Sequence, residues 1–314
     1  MQRIVIAEFM DESAVASLRP SFEVDYQPVL VDDREALYAA VAGADALIVR
    51  NRTQVDRALL DAATRLAVVG RLGVGLDNID VDACAARRIA VIPATGANAL
   101  AVAEYVIGTA LLLLRGAYGA TAEVAAGNWP RTRLSSGREI HGKCLGLVGF
   151  GGIGQLAARL AQALGMHVVA HDPAFAADAA IYAQHSVQPL ALDTLLARAD
   201  VLSLHVPLVD STRNLIDATR LAHMQRGAIL INTSRGGIVD EAALARALGD
   251  GALCGAALDV FATEPLPAGS PLAGAPNLLL TPHVAGVTAE SNARVSSLIA
   301  QRVAEFLRSH TDAR

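Results

Sequence analysis

The sequence predicts an α/β protein with parallel sheets flanked by helices. Short apolar runs recur from end to end, and stretches of helical spacing separate them, the alternation that strand–helix–strand crossovers produce. The length, 314 residues, suggests two domains at roughly 150 residues each.

Taken in order, RIVIAE (3–8), FEVDY (22–26), ALIVR (46–50) and LAVVGR (66–71) read as strands, and 33–42, 56–63 and 80–88 as helices. A longer Ala/Leu-rich helix at about 97–116 has the length of a spine between two domains. The segment 125–143 then changes character, with Gly, Pro, Ser, three arginines and the only Trp, and reads as a surface excursion. A second series follows, with strands near 145–149, 166–171, 200–205, 228–232, 254–259 and 278–281, and a last helix at about 288–308.

Composition narrows the function classes. With 53 % hydrophobic and 18 % charged residues, the chain can bury a large core, which excludes wholesale disorder. Lys+Arg is 26 against Asp+Glu 31, a net charge of −5, so there is no basic surplus for a nucleic-acid backbone. The most apolar stretch, 106–114, lies between Glu104 and Arg115 and falls far short of the ~20 residues of a membrane span. The N-terminus carries acids early and lacks a signal peptide's apolar core. Cys84, Cys144 and Cys254 are far apart, without metal-ligand spacing, and read as small hydrophobes in a reducing compartment. The expectation is a cytoplasmic protein with no bound metal and neither nucleic-acid nor membrane partner. Lys143 is the only lysine, so where the geometry of a cation matters the protein relies on the planar fork of arginine.

The strand CLGLVG runs into Gly149-Phe150-Gly151-Gly152-Ile153-Gly154 and then a helix. In this strand–turn–helix context the first glycine permits the tight turn, the second admits a pyrophosphate to the backbone, and the third lets helix and strand pack closely. The next strand ends at Asp172, 18 residues past Gly154, where an acid meets the ribose hydroxyls of NAD and repels a 2′-phosphate. The expected cofactor is NAD rather than NADP.

Further motifs, GRLGVGLDNID (70–80), NALAVAEYVIG (98–108), LHVPL (204–208), INTSRGGIVDEAAL (231–244), GAALDVFATEPLP (255–267) and LTPHVAGVT (280–288), resemble those of the D-isomer-specific 2-hydroxyacid dehydrogenases in the same order. The resemblance implies two Rossmann-like domains, the NAD-binding one (98–285) inserted into a discontinuous, flavodoxin-like substrate domain (1–97 and 286–314). A cleft between them would close on substrate. It implies catalytic roles for Arg235, Glu264 and His283: a histidine to remove the hydroxyl proton, a carboxylate to orient it, and an arginine fork for the carboxylate and carbonyl oxygen. It adds Val102, His205, Val206, Pro207, Thr212, Thr233, Asp259 and Gly286 around the cofactor, with Asp259 for the carboxamide. For the substrate it implies the loop Leu72, Gly73, Val74 and Gly75, with Asn98, and Arg50, Arg71 and Arg131 for a second anion, the last from a partner subunit. It also implies a homodimer through the NAD-binding domain.

Arg52, in VRNRTQV, is an addition to the phosphoglycerate dehydrogenase pattern and is expected to reach the substrate's second anion. With the opening EFMDE it resembles the sulfolactate branch, whose S label denotes D-type geometry because the sulfonate-bearing carbon outranks the carboxylate. The expected substrate is a small dianionic 2-hydroxy acid, sulfolactate first and 3-phosphoglycerate second, with a small neutral 2-hydroxy acid third. Two alternatives are an NADP-linked glyoxylate or hydroxypyruvate reductase, against which Asp172 argues, and an NAD-sensing corepressor-like protein, for which the chain has no long tail.

Overall fold

Nearly every apolar run becomes a strand in the interior of a parallel sheet. The computed structural model describes residues 1–311. The chain divides into two compact units, residues 1–98 with those from 287 onward, and residues 99–286.

The first unit holds β1 (Arg3–Ile6), α1 (Glu12–Leu18), β2 (Glu23–Tyr26), α2 (Arg34–Val41), β3 (Ala46–Val49), α3 (Arg57–Ala62), β4 (Val68–Arg71), α4 (Val81–Ala86) and β5 (Ala90–Pro93). The five strands pair in the order β2-β1-β3-β4-β5, all parallel, the flavodoxin-like arrangement. All four residues of β3, the central strand, are buried, as a sheet covered on both faces requires. Helix starts are fixed by aspartates: Asp11, Asp33, Asp56 and Asp80 accept N–H groups of Ser13, Ala36, Leu59 and Ala83, contacts worth ~1 kcal/mol each. The closing helix, Ala289–Thr311, returns to this unit and packs Val295, Ile299, Val303 and Leu307 into its core.

The second unit comprises α5 (Ala99–Arg115), α6 (Thr121–Ala125), α7 (Arg131–Leu134), β6 (Cys144–Val148), α8 (Gly152–Ala163), β7 (His167–His171), α9 (Ala180–Gln184), β8 (Gln188–Pro189), α10 (Leu192–Arg198), β9 (Val201–Leu204), α11 (Ala218–His223), β10 (Ile229–Asn232), α12 (Glu241–Gly249), β11 (Gly255–Leu258) and β12 (Leu278–Leu280). Its seven strands run β12-β11-β10-β9-β6-β7-β8. Counted from β6, this is the dinucleotide-binding order with one strand added at the edge. The order reverses beside β6, so the loop after β6 lies at the switch point where such sheets bind ligands. Two apolar clusters cover the two faces.

Differences from the sequence reading are local. The first strand stops at Ile6, leaving Glu8 beyond the sheet. The strand β5 escaped the reading because it is a half-buried edge ending in Pro93. The excursion contains the single turn α7, and Trp129 is 78 % exposed. Among the described residues no single helix is long and apolar enough to cross a membrane. The bent pair Ala99–Arg115 and Tyr118–Ala125 passes on length and composition alone, and the α5 part buries nine residues in the protein core.

At Gly70 in β4, a Cβ would come within 2.8 Å of methyl groups of Ile299 and Val303 on the closing helix. Gly70→Val is expected to lower unfolding stability by about 1–3 kcal/mol, read as a lower urea midpoint at unchanged slope. An unchanged midpoint would show that the helix retreats without cost.

Candidate active site

The glycine loop after β6 is built as its sequence requires. Gly149 has φ +98°, and a Cβ there would lie 2.5 Å from the carbonyl oxygen of His205. A Cβ at Gly154 would lie 2.5 Å from the carbonyl oxygen of Gly149. At Gly151 and Gly152 a Cβ would meet open space, and Gly151 caps α8 without a side chain. The first amides of α8, from Gly152 through Ile153, therefore face a cradle suited to an anion. Asp172 follows β7 directly. It accepts the Phe150 N–H at 2.7 Å and the Ala174 N–H at 2.9 Å, which ties the acid to the glycine loop and leaves lone pairs for a diol.

The neighbouring loops contribute unequally. The His205 ring lies 2.9 Å from the Ser203 hydroxyl, and burial pushes its pKa down to about 4, so it is neutral. Val206 is buried, as is Val102 on α5. The Thr212 hydroxyl accepts the Val209 N–H at 2.8 Å and donates to the Pro207 carbonyl at 2.6 Å, closing its own turn. By contrast, the Thr233 hydroxyl is buried with no hydrogen-bond partner among the described residues. An open glycine cradle, a tethered acid and an orphaned hydroxyl after β10 fit a dinucleotide.

Arg235 lies in the turn after β10. The Asn232 side chain braces this turn by donating to the Arg235 carbonyl at 2.9 Å and accepting from the Ser234 N–H and hydroxyl at 3.1 and 2.7 Å. A Cβ at Gly236 would lie 1.8 Å from the Phe261 carbonyl oxygen, so only glycine lets the turn dock there. The Arg235 guanidinium donates to the Ser234 carbonyl at 2.6 Å.

Glu264 uses both carboxylate oxygens. One accepts the Phe261 N–H at 3.0 Å, and the other lies 2.8 Å from Nδ1 of His283. With Nδ1 donating to the carboxylate, the neutral ring presents Nε2 as an acceptor, and the side chain is 40 % exposed. His283 itself sits at φ +57°, a strained conformation for a non-glycine residue. Asp259 holds it there. The Asp259 carbonyl accepts the His283 N–H at 2.8 Å. Its carboxylate, 1 % exposed, accepts the Thr281 hydroxyl at 2.6 Å and the N–H groups of Val284 and Ala285 at 2.8 Å each. Because Thr281 donates to Asp259, Tyr105 must donate to Thr281 across their 2.7 Å contact. Glu241 accepts the Ala262 N–H at 2.7 Å and pins the loop that carries Glu264. The sequence reading missed Tyr105, Thr281, Asn232 and Glu241. Only the acid at the start of α12, in VDEAAL, had a local signal, as a first-turn residue.

The residues expected at the substrate divide. In the first unit, the amides of Leu72 and Gly73 are already bonded to the carbonyls of Val49 and Arg71, each at 2.8 Å. The amides of Val74 and Gly75 meet no acceptor among the described residues. The Arg71 guanidinium folds over Gly73 and donates to the Leu72 carbonyl at 3.0 Å. Asn98 has a buried amide oxygen without a partner. Arg50 is half-buried and donates to Asn292 at 2.6 Å. Arg52, expected to reach the substrate, instead pairs with Asp32 at the surface, both side chains about three-fifths exposed. An ionised carboxylate within reach takes the fork before any ligand arrives. In the second unit, Arg131 is exposed on α7.

The profile described as "D-isomer specific 2-hydroxyacid dehydrogenase, NAD binding domain" matches residues 107–285. The chain belongs to this family. The dehydrogenase is 55 % identical over 307 residues to a protein named (S)-sulfolactate dehydrogenase from Chromohalobacter salexigens, covering 98 % of this chain and 99 % of that one. It is 44 % identical over 300 residues to D-3-phosphoglycerate dehydrogenase from Mycobacterium bovis, where it spans 96 % of its own length and 56 % of the relative's. Among solved structures, the TT0316 protein from Thermus thermophilus superposes with a TM-score of 0.87 at 34 % identity, covering 98 % of this chain and 97 % of that one. The dehydrogenase is thus an NAD-dependent oxidoreductase acting on the CH–OH group of 2-hydroxy acids.

His205 makes this dehydrogenase acid-sensitive. Its folded pKa, about 4, lies below its ordinary value of 6.5. The unfolded chain therefore binds a proton in that window while the folded one does not, and stability falls as pH drops from 6.5 towards 4. The loss approaches about 3 kcal/mol. His205→Gln is expected to lack this component, so its urea midpoint falls less on acidification than that of the wild type. Parallel curves would refute the assignment.

Proposed function

We propose that the dehydrogenase oxidises a small dianionic 2-hydroxy acid, sulfolactate by preference, through His283, Glu264 and Arg235. The observation that carries this reading is the 2.8 Å contact between Nδ1 of His283 and Glu264, which leaves Nε2 exposed as a base. Nε2 takes the substrate hydroxyl proton, and Glu264 stabilises the imidazolium that results. Arg235 forks onto the carboxylate side of the reacting carbon and polarises the developing carbonyl oxygen. NAD⁺, when bound, supplies the hydride acceptor. Gly151 to Gly154 hold its pyrophosphate, Asp172 its ribose diol, and Thr233 and the last lone pair of Asp259 its carboxamide end. In reduction His283 returns the proton.

The Val74 and Gly75 amides hold the substrate carboxylate, and Arg50 takes the second anion. The name of the relative at 55 % identity supports sulfolactate. The Arg52–Asp32 pair favours 3-phosphoglycerate as a second reading, because it removes the extra cation that set a sulfonate apart. We infer a homodimer through the NAD-binding unit, supported by the exposed Tyr118, Val124 and Trp129 beside α6 and α7. A cytoplasmic setting is supported by the dependence on NAD and by three free cysteines, two of them buried.

Initial rates of NAD⁺ reduction test the substrate. Sulfolactate is expected to exceed D-3-phosphoglycerate and D-lactate in kcat/KM by about tenfold, ~1.4 kcal/mol. A lead for 3-phosphoglycerate selects the second reading, and parity with D-lactate removes the dianion. His283→Ala is expected to lower kcat about 10²–10⁴-fold while NADH binding, followed by fluorescence, persists. Retained turnover would sink the assigned base.

A further inference from the structure

A second anionic group on a substrate needs a cation whose charge is not already cancelled. The arginines assigned above differ in this respect. Arg52 pairs with Asp32, and Arg133, beside Arg131, pairs with Glu123. Arg50 is held by neutral groups instead. Its Nη2 donates to the amide oxygen of Asn292 at 2.6 Å, and its Cζ lies 5.8 Å from the centre of the half-exposed Phe9 ring. Among the described residues no carboxylate forms an ion pair with its guanidinium. The acid whose charge reaches the guanidinium through space, the buried Glu8, accepts three backbone N–H groups, from Arg50 at 2.8 Å, Arg52 at 3.2 Å and Thr53 at 3.0 Å. Its oxygens are engaged in shaping the 50–53 loop rather than in an ion pair with the fork.

Asn292 does this from the closing helix, 242 positions from Arg50 in sequence. Asn side chains near helix starts usually bond to backbone within a few residues, and local capping explains no contact of that range. A neutral acceptor fixes the direction of a guanidinium without lowering its attraction for an anion, and the face of an aromatic ring backs the same cation. The N–H groups that remain suit the three-oxygen face of a sulfonate or a phosphate.

We propose that Asn292 is a specificity-determining positioning residue: it aims Arg50 while leaving its charge intact for the second anionic group of a dianionic 2-hydroxy acid, with Phe9 as the backing surface. This rests on the dianionic-substrate reading above. An acid at 292 would orient the fork equally well and cancel it, as Asp32 does for Arg52.

The test is the ratio of kcat/KM for sulfolactate to that for D-lactate, measured with NAD⁺ on the whole chain. In Asn292→Asp the ratio is expected to fall at least about tenfold, carried by the KM for sulfolactate more than by kcat. Asn292→Gln, which keeps a neutral acceptor, is expected to stay within about threefold of wild type. Asn292→Ala, which removes the acceptor without adding charge, is expected to fall between the two. A wild-type ratio in Asn292→Asp overturns the proposal. If that variant is not recovered folded, a wild-type ratio in Asn292→Ala does so. A wild-type enzyme that shows no preference for the dianion overturns the underlying reading, and the proposal with it.

Discussion

The Asp259 carboxylate is the constraint on which the candidate site depends. His283 occupies a backbone conformation that most residues avoid, and a single buried acid keeps it there through its carbonyl and three accepted hydrogen bonds. Strain of this kind costs of order 1–3 kcal/mol and persists only where surrounding structure over-determines it. The over-determination is visible in layers. Tyr105 orients Thr281, Thr281 and two amides hold Asp259, and Asp259 fixes the loop that points the imidazole at Glu264. Three donors meet the buried Asp259 carboxylate, so the cofactor end of the site carries no unsatisfied oxygen there.

The fold was legible where burial is two-sided. β3, β6, β9, β10 and β11 are apolar at nearly every position because both faces of the sheet are covered, and such runs stand out in a sequence. Edge elements were not. β5 is half-buried throughout and β8 has two residues, too few for any period. The glycine loop was legible for a different reason: turns that bring backbone within 2.5 Å of a would-be Cβ admit one residue type.

The site itself was partly hidden because its supports are distant in sequence. Tyr105 meets Thr281 across 176 positions, and Arg50 meets Asn292 across 242. No local pattern announces either pair. Arginines are the sharpest case. Arg50 and Arg52 are two residues apart and look alike in sequence, yet one is held by an amide and the other is neutralised by a carboxylate 20 positions away. A count of cations therefore overstates the field an anion meets, because only the partner of each guanidinium decides its worth.

The two groups of candidate residues are folded by different parts of the chain. The groups named above as bracing His283 and Glu264 belong to residues 99–286, and those named for Arg50 belong to the other unit. On the function proposed above, proton chemistry and the choice of acid are inherited as separate structures. On that reading a lineage can rewrite which acid it accepts by changing a handful of side chains around Arg50, and the machinery that moves the proton never has to be rebuilt. Relatives that share this architecture under names as different as sulfolactate and phosphoglycerate dehydrogenase are the outcome such a division permits.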